Sequence, residues 1–163
     1  MSVHKFNEVQ CQILKVTGPN KIEGADSKDV TALLTASVEK PLSFEITKAA
    51  GAANIVEVTI KPLDSNGAVL TGHRTVELWA SDDSAGAGLA STWAIDTVTA
   101  KSTFGSIFTA LTAVKHYIAQ TNASGVLTLV LTDAATGGGY LAVKNPVTGL
   151  PQLIQIEAGD YGV

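Results

Sequence analysis

Residues 54–83 read NIVEVTIKPLDSNGAVLTGHRTVELWASDD. Val56, Val58 and Ile60 alternate with Glu57, Thr59 and Lys61, and further on Val76, Leu78 and Ala80 alternate with Thr75, Glu77 and Trp79. A period of two places each set on one face of a strand, one face buried and the other wet. Between them Asp64-Ser65-Asn66-Gly67 is turn chemistry: Asp and Asn close local hydrogen bonds and Gly accepts positive φ. The stretch reads as a pair of strands, the first closed by Pro62, which cannot donate to a ladder. The chain around it reads as an all-β domain.

Upstream, Leu42, Phe44 and Ile46 alternate with Ser43, Glu45 and Thr47, and 49–53 links this strand to the central one. Downstream, 82–88 is a loop of small residues, and Trp93 to Val98 is a further short strand. Phe104, Ile107, Phe108 and Leu111 have helical spacing, whereas the threonines and the glycine-flanked ends favour a strand. Consistency with the rest of the chain selects the strand. Then follow strands over 116–121, 126–132, 140–144 and 153–157, separated by turns at 122–125, 137–139 and 145–149. The segment 126–132 (VLTLVLT) is apolar on both faces and so belongs in the centre of a sheet. Short strands about 8 to 12 residues apart, with Gly, Asn and Asp turns, indicate a sandwich or barrel.

The first 40 residues are less decided. Val9, Cys11 and Ile13 share one side of a candidate strand, 21–29 is polar and turn-like, and 30–38 (VTALLTASV) suits a strand or a short helix. The segment is either an integral pair of strands or an arm ordered against a neighbouring subunit.

The 163 residues fit one domain with or without an extension. Charged residues make up 16%, against about a quarter in an ordinary globular chain, a hint that part of the surface is covered in an assembly. The net charge is −4 and no run of Lys or Arg occurs, so the electrostatic footprint of a nucleic-acid binder is missing. No stretch approaches the ~18–20 apolar residues of a membrane span, and the N-terminus has no apolar signal region. The expectation is a chain made in the cytoplasm.

No chemistry stands out. The lone Cys11 cannot form an internal disulfide. His4, His73 and His116 have no neighbours at metal-pair spacing. Asp82 and Asp83, with Asp64 or Asp96, could offer oxygens to Ca²⁺, but no EF-hand pattern is present, and a solvated acidic turn is the simpler reading. Gly137-Gly138-Gly139 lacks the GK[ST] ending of a phosphate loop, and no GxSxG elbow supports a triad. No catalytic, cofactor-binding or metal-ligating residue is assigned, and the chain reads as non-enzymatic.

The order of these elements is similar to small immunoglobulin-like modules in structural proteins of tailed bacteriophages and prophages. The resemblance rests on the D-x-x-G turn at 64–67, the T-x-x-x-G turn at 121–125, the Y-L-A-V-x-x-P strand at 140–146 and a final hairpin, over residues 41–158. Bacterial surface Ig-like domains share several of these motifs, and the paired cysteines of antibody-type domains are absent. The resemblance implies an immunoglobulin-like antiparallel β-sandwich over 41–163, with 1–40 as an N-terminal arm or extra strands. It implies a virion component, in the first place a capsid decoration (cement) protein that clamps neighbouring major capsid protein subunits, as a homo-oligomer with no nucleic-acid or membrane partner. The alternatives are a tail, head-fibre or baseplate module contacting the host surface, and a bacterial surface Ig-like binding module. The interface candidates are Val9, Cys11, Ile13, Leu14, Leu33, Leu34, Trp79 and Trp93. Trp79 is either core or interface, and Trp93 is divided in the same way.

Overall fold

The computed structural model describes residues 15–16, 22–23 and 41–163. The chain divides into two units, Met1–Glu39 and Lys40–Val163, each taken by itself. In the first, β1 (Lys15–Val16) pairs antiparallel with β2 (Ile22–Glu23). The choice between an arm and integral strands, and the interface candidates Val9, Cys11, Ile13, Leu14, Leu33 and Leu34, fall outside the described residues.

The second unit is all-β. Its strands are β3 (Ser43–Ala50), β4 (Ile55–Leu63), β5 (Thr75–Ser81), β6 (Thr97–Ala100), β7 (Ser106–Thr112), β8 (His116–Gln120), β9 (Leu127–Thr132), β10 (Gly139–Lys144) and β11 (Pro151–Ile156). One sheet has the order β3-β4-β9-β6 and the other β11-β10-β5-β8-β7. Every neighbouring pair is antiparallel. The inner faces meet in one apolar cluster: Val56, Val58, Ile60, Leu127, Leu129 and Leu131 from the four-stranded sheet, and Val76, Leu78, Ala119, Leu141 and Val143 from the five-stranded sheet. This is a β-sandwich. Each fully buried Leu or Ile contributes about 1.5–3 kcal/mol relative to leaving it exposed.

The two central strands exist with the expected faces, but they do not pair with each other. β4 is flanked by β3 and β9, so both of its edges are occupied, and β5 lies in the opposite sheet between β10 and β8. The intervening turn forms as its chemistry dictates: Asp64 Oδ1 accepts the N–H groups of Asn66 and Ala68, each at 2.8 Å, and Gly67 has φ 79°. The return is brief, with a single bridge from Leu63 to Val69. Gly72 then donates to Ala123 O, and the chain has changed layer. Alternation specifies which face is buried, and both sheets bury the same kind of face.

Two smaller expectations are corrected in this half of the chain. Strand β4 runs through Pro62 to Leu63 rather than ending before it. The neighbouring β9 ladder stops at the Ile60–Leu127 pair, and Phe44, opposite Pro62, turns its own N–H away to Gln152. A missing N–H at Pro62 therefore breaks no ladder bond. The strand expected at 93–98 is also displaced to Thr97–Ala100, and the chain over 93–96 is irregular because Trp93 and Ile95 are drawn into the core.

The segment 104–114 holds a strand, Ser106–Thr112, and no helix. β7 pairs with β8 with register shifts between Ile107 and Thr109 and between Ala110 and Thr112. Phe108 and Leu111 are the extra residues. Each bulge shifts the alternation by one, and two bulges three residues apart produce a helix-like spacing in an extended strand.

Candidate functional site

Among the described residues, a cleft and an exposed strand edge are two surfaces of the sandwich that present chemistry to solvent. The first is a cleft on the outer face of the five-stranded sheet. Trp79 lies at its centre, opposite His116 on β8 and Ala142 on β10. The loop after β5 folds back over this face. Trp79 Nε1 donates to Gly86 O at 3.0 Å, and Gly86 sits so close to Pro151 and Leu153 that a Cβ there would meet both side chains. The space left beside the tryptophan is about 310 Å³, lined by Glu77, Trp79, Gly86, Gly88, Leu89 and His116.

The polar wall of the cleft is a charge-balanced group. Glu77 accepts from Lys144 Nζ at 2.8 Å through one oxygen and is 3.1 Å from His116 Nε2 through the other. The Lys144 ammonium, aided by His116, holds the Glu77 carboxyl below its usual range against the opposing effect of burial. The His116 ring meets Trp79 edge-on, with centroids 6.1 Å apart and planes at 71°. The indole is thus held at its nitrogen by the loop and at its ring by the imidazole.

The second surface is the edge strand β7. Phe108 and Leu111 are 57% and 54% exposed, and Phe104, just before the strand, is exposed as well. Large apolar side chains in solvent on one strand edge mark an interaction surface when they are grouped.

The loop that walls the cleft is anchored by Asp82. Its carboxylate accepts from the Ser91, Thr92 and Trp93 N–H groups at 2.6, 2.8 and 3.0 Å and from the Ser91 hydroxyl at 2.9 Å. These donors, the Thr92 N–H foremost, hold the Asp82 carboxyl far below the ordinary carboxylate range. The anchor delivers Trp93 into the core, where it is 1% exposed. Its Nε1 donates to the Tyr161 hydroxyl at 3.2 Å, and burial pushes that hydroxyl above its usual range. Gly139 is required beside it, since a Cβ there would lie 2.5 Å from the indole.

Of the carboxylates considered for calcium, Asp82 and Asp83 share one loop, while Asp64 and Asp96 lie in others, and each accepts from backbone N–H groups. Asp64 caps its own turn, Asp96 accepts from the Ala134 N–H at 2.7 Å, and Asp83 accepts from the Ala85 N–H at 2.9 Å. Among the described residues no group of three or more His, Cys, Asp or Glu is placed to hold a metal ion. His73 is 2.9 Å from Thr121 O through Nδ1. No helix among the described residues is long and apolar enough to cross a membrane.

Of the predicted interface residues within the described region, Trp79 faces the cleft and Trp93 does not. The sequence reading missed the roles of Phe108, Leu111, Glu77, His116 and Leu89. For Phe108 and Leu111 a signal existed: apolar residues at helical spacing inside an otherwise strand-like segment are what paired bulges produce.

No protein-family model matches the chain, and no curated protein or solved structure matches it either.

Proposed function

We propose that the chain is a non-enzymatic structural protein of a tailed-phage virion, a capsid decoration protein that binds the outside of the shell and stabilises it. The observation that carries this reading is the bulged edge strand β7, with Phe108 and Leu111 turned into solvent. Bulges discourage a neighbouring strand from adding to the sheet, while the exposed side chains can still insert into pockets on another protein. Such an edge suits a side-chain-mediated clamp between rigid subunits, here the major capsid protein. Decoration sites lie on symmetry axes, so a homo-oligomer belongs to this reading.

The fold assigned within it is immunoglobulin-like. The order β3-β4-β9-β6 corresponds in space to A-B-E-D, and β11-β10-β5-β8-β7 to G-F-C-C′-C″. The chain order departs from that pattern in the middle. β6, at the D position, precedes β7 and β8, at the C″ and C′ positions. The tryptophan on the C-position strand, Trp79, also faces outward, and Trp93 fills the core instead.

The test is addition of the purified chain to capsid shells lacking a decoration protein. Saturable co-sedimentation and a raised shell melting temperature are expected, and the double substitution Phe108→Ser, Leu111→Ser should abolish both. Absence of binding by the unaltered chain overturns the reading. The head-fibre, tail or baseplate alternative is favoured by the Trp79 cleft, which suits a ligand smaller than a protein.

A further inference from the structure

The cleft beside Trp79 has features that a covered sheet face does not need. One wall is apolar: the Trp79 ring, whose only N–H is already committed to Gly86 O, and Leu89, 42% exposed. The polar part of the lining is Glu77 and His116, which lie beside Trp79 on the same sheet face. The rest of the lining is backbone at Gly86, packed against Pro151 and Leu153, and at Gly88. A Cβ at Gly88 would meet nothing within 4 Å, so the wall stands open there.

The charge balance narrows the ligand class. Glu77 is already compensated by Lys144, so a cation finds no unpaired charge to neutralise. An anion would face the Glu77 carboxylate. A purely apolar ring would strip water from that carboxylate and offer no hydrogen bond in return, which is unfavourable. A neutral ring with hydroxyl groups meets both parts of the lining: its C–H face lies on the indole and Leu89, and its hydroxyls donate to Glu77 and exchange hydrogen bonds with His116. The volume, about 310 Å³, is at the lower end of the roughly 300–1,000 Å³ of ligand sites, which is room for one ring. The indole is held in place before any ligand arrives, which lowers the cost of ordering it.

We propose that this cleft binds one neutral sugar residue. The proposal does not depend on the capsid reading. Two tryptophans make the test direct, because Trp79 lines the cleft and Trp93 is in the core. The full chain is titrated separately with glucose, galactose and N-acetylglucosamine while the two indole N–H signals are followed by NMR, with Trp79→Phe used to assign them. A saturable shift of the Trp79 signal is expected with at least one sugar, the Trp93 signal staying in place. Leu89→Ala removes apolar wall at an exposed position and should weaken binding on the order of tenfold, as loss of a contact anchor does. Glu77→Gln should weaken it as well. No saturable shift with any of the three sugars overturns the proposal, and so does a shift that Leu89→Ala and Glu77→Gln leave unchanged.

Discussion

The two long sides of the sandwich deal with their strand edges in opposite ways. On the β3–β11 side the free backbone groups are met by side chains of the other sheet. Gln152 accepts from the Phe44 N–H at 2.7 Å and donates to Phe44 O at 3.3 Å. Asn145 donates to Leu42 O at 2.7 Å. Lys48 reaches both Gln155 O and the Asp160 carboxylate. On the opposite side β7 is bulged twice and sends Phe108 and Leu111 into solvent. An unpaired edge is a template for unwanted pairing. Here one edge is closed from within, and the other is made irregular while keeping apolar side chains available. The first arrangement holds two sheets together. The second suits contact with something outside the chain.

Phe44→Ala strikes the closed side hardest. Phe44 is buried in the common core beneath the Gln152 clasp, and the loss should be about 3–5 kcal/mol in urea unfolding. A loss below about 1 kcal/mol would mean that this edge does not hold the sheets together. Gln152→Ala removes only the clasp. It leaves the Phe44 N–H and C=O without that partner and should cost about 1–2 kcal/mol. An unchanged denaturation midpoint would reduce the clasp to a surface contact.

The Lys48–Asp160 pair gives the closed side a pH dependence. Burial raises the Asp160 carboxyl, but the Lys48 and Glu157 hydrogen bonds outweigh it and hold the group below its usual 3.8. A depressed carboxylate pKa stabilises the fold fully above the unfolded value, and that stability is lost as pH falls toward the folded value. Melting temperature should therefore drop between about pH 5 and about pH 3, and Asp160→Asn should flatten part of the drop. An identical acid profile in the variant would remove the pair from the account. On the open side, Phe108→Ser should change stability least, by no more than about 0.5 kcal/mol, while weakening shell binding. A large stability loss there would show that β7 is needed by the fold itself.

Much of this was legible from residue order. The turn at 64–67 follows from Asp64 and Gly67, and the turn at 122–125 from Asn122, whose Oδ1 accepts the Ser124 and Val126 N–H groups, each at 3.0 Å. Strand β9 was legible as central because Leu127, Leu129 and Leu131 line one face while Val130 extends the apolar character to the other. The site was far less legible. Glu77 and His116 are 39 positions apart and meet only through the β5–β8 register. Trp93 read as the start of a short strand, core or interface alike, because nothing local shows that Asp82, eleven residues earlier, pulls its backbone inward.

The sequence by itself determined the all-β class, the buried face of most strands and the position of most turns. Those features depend on residues within a few positions of one another, through side-chain alternation and local hydrogen bonds. Only the tertiary structure decided that β4 and β5 part into opposite sheets, that the spacing in 104–111 records two bulges, and that Trp79 borders a cleft while Trp93 fills the core. These outcomes depend on which strand occupies which edge. Two sheets with equally apolar inner faces leave that choice open until the whole set of strands is packed.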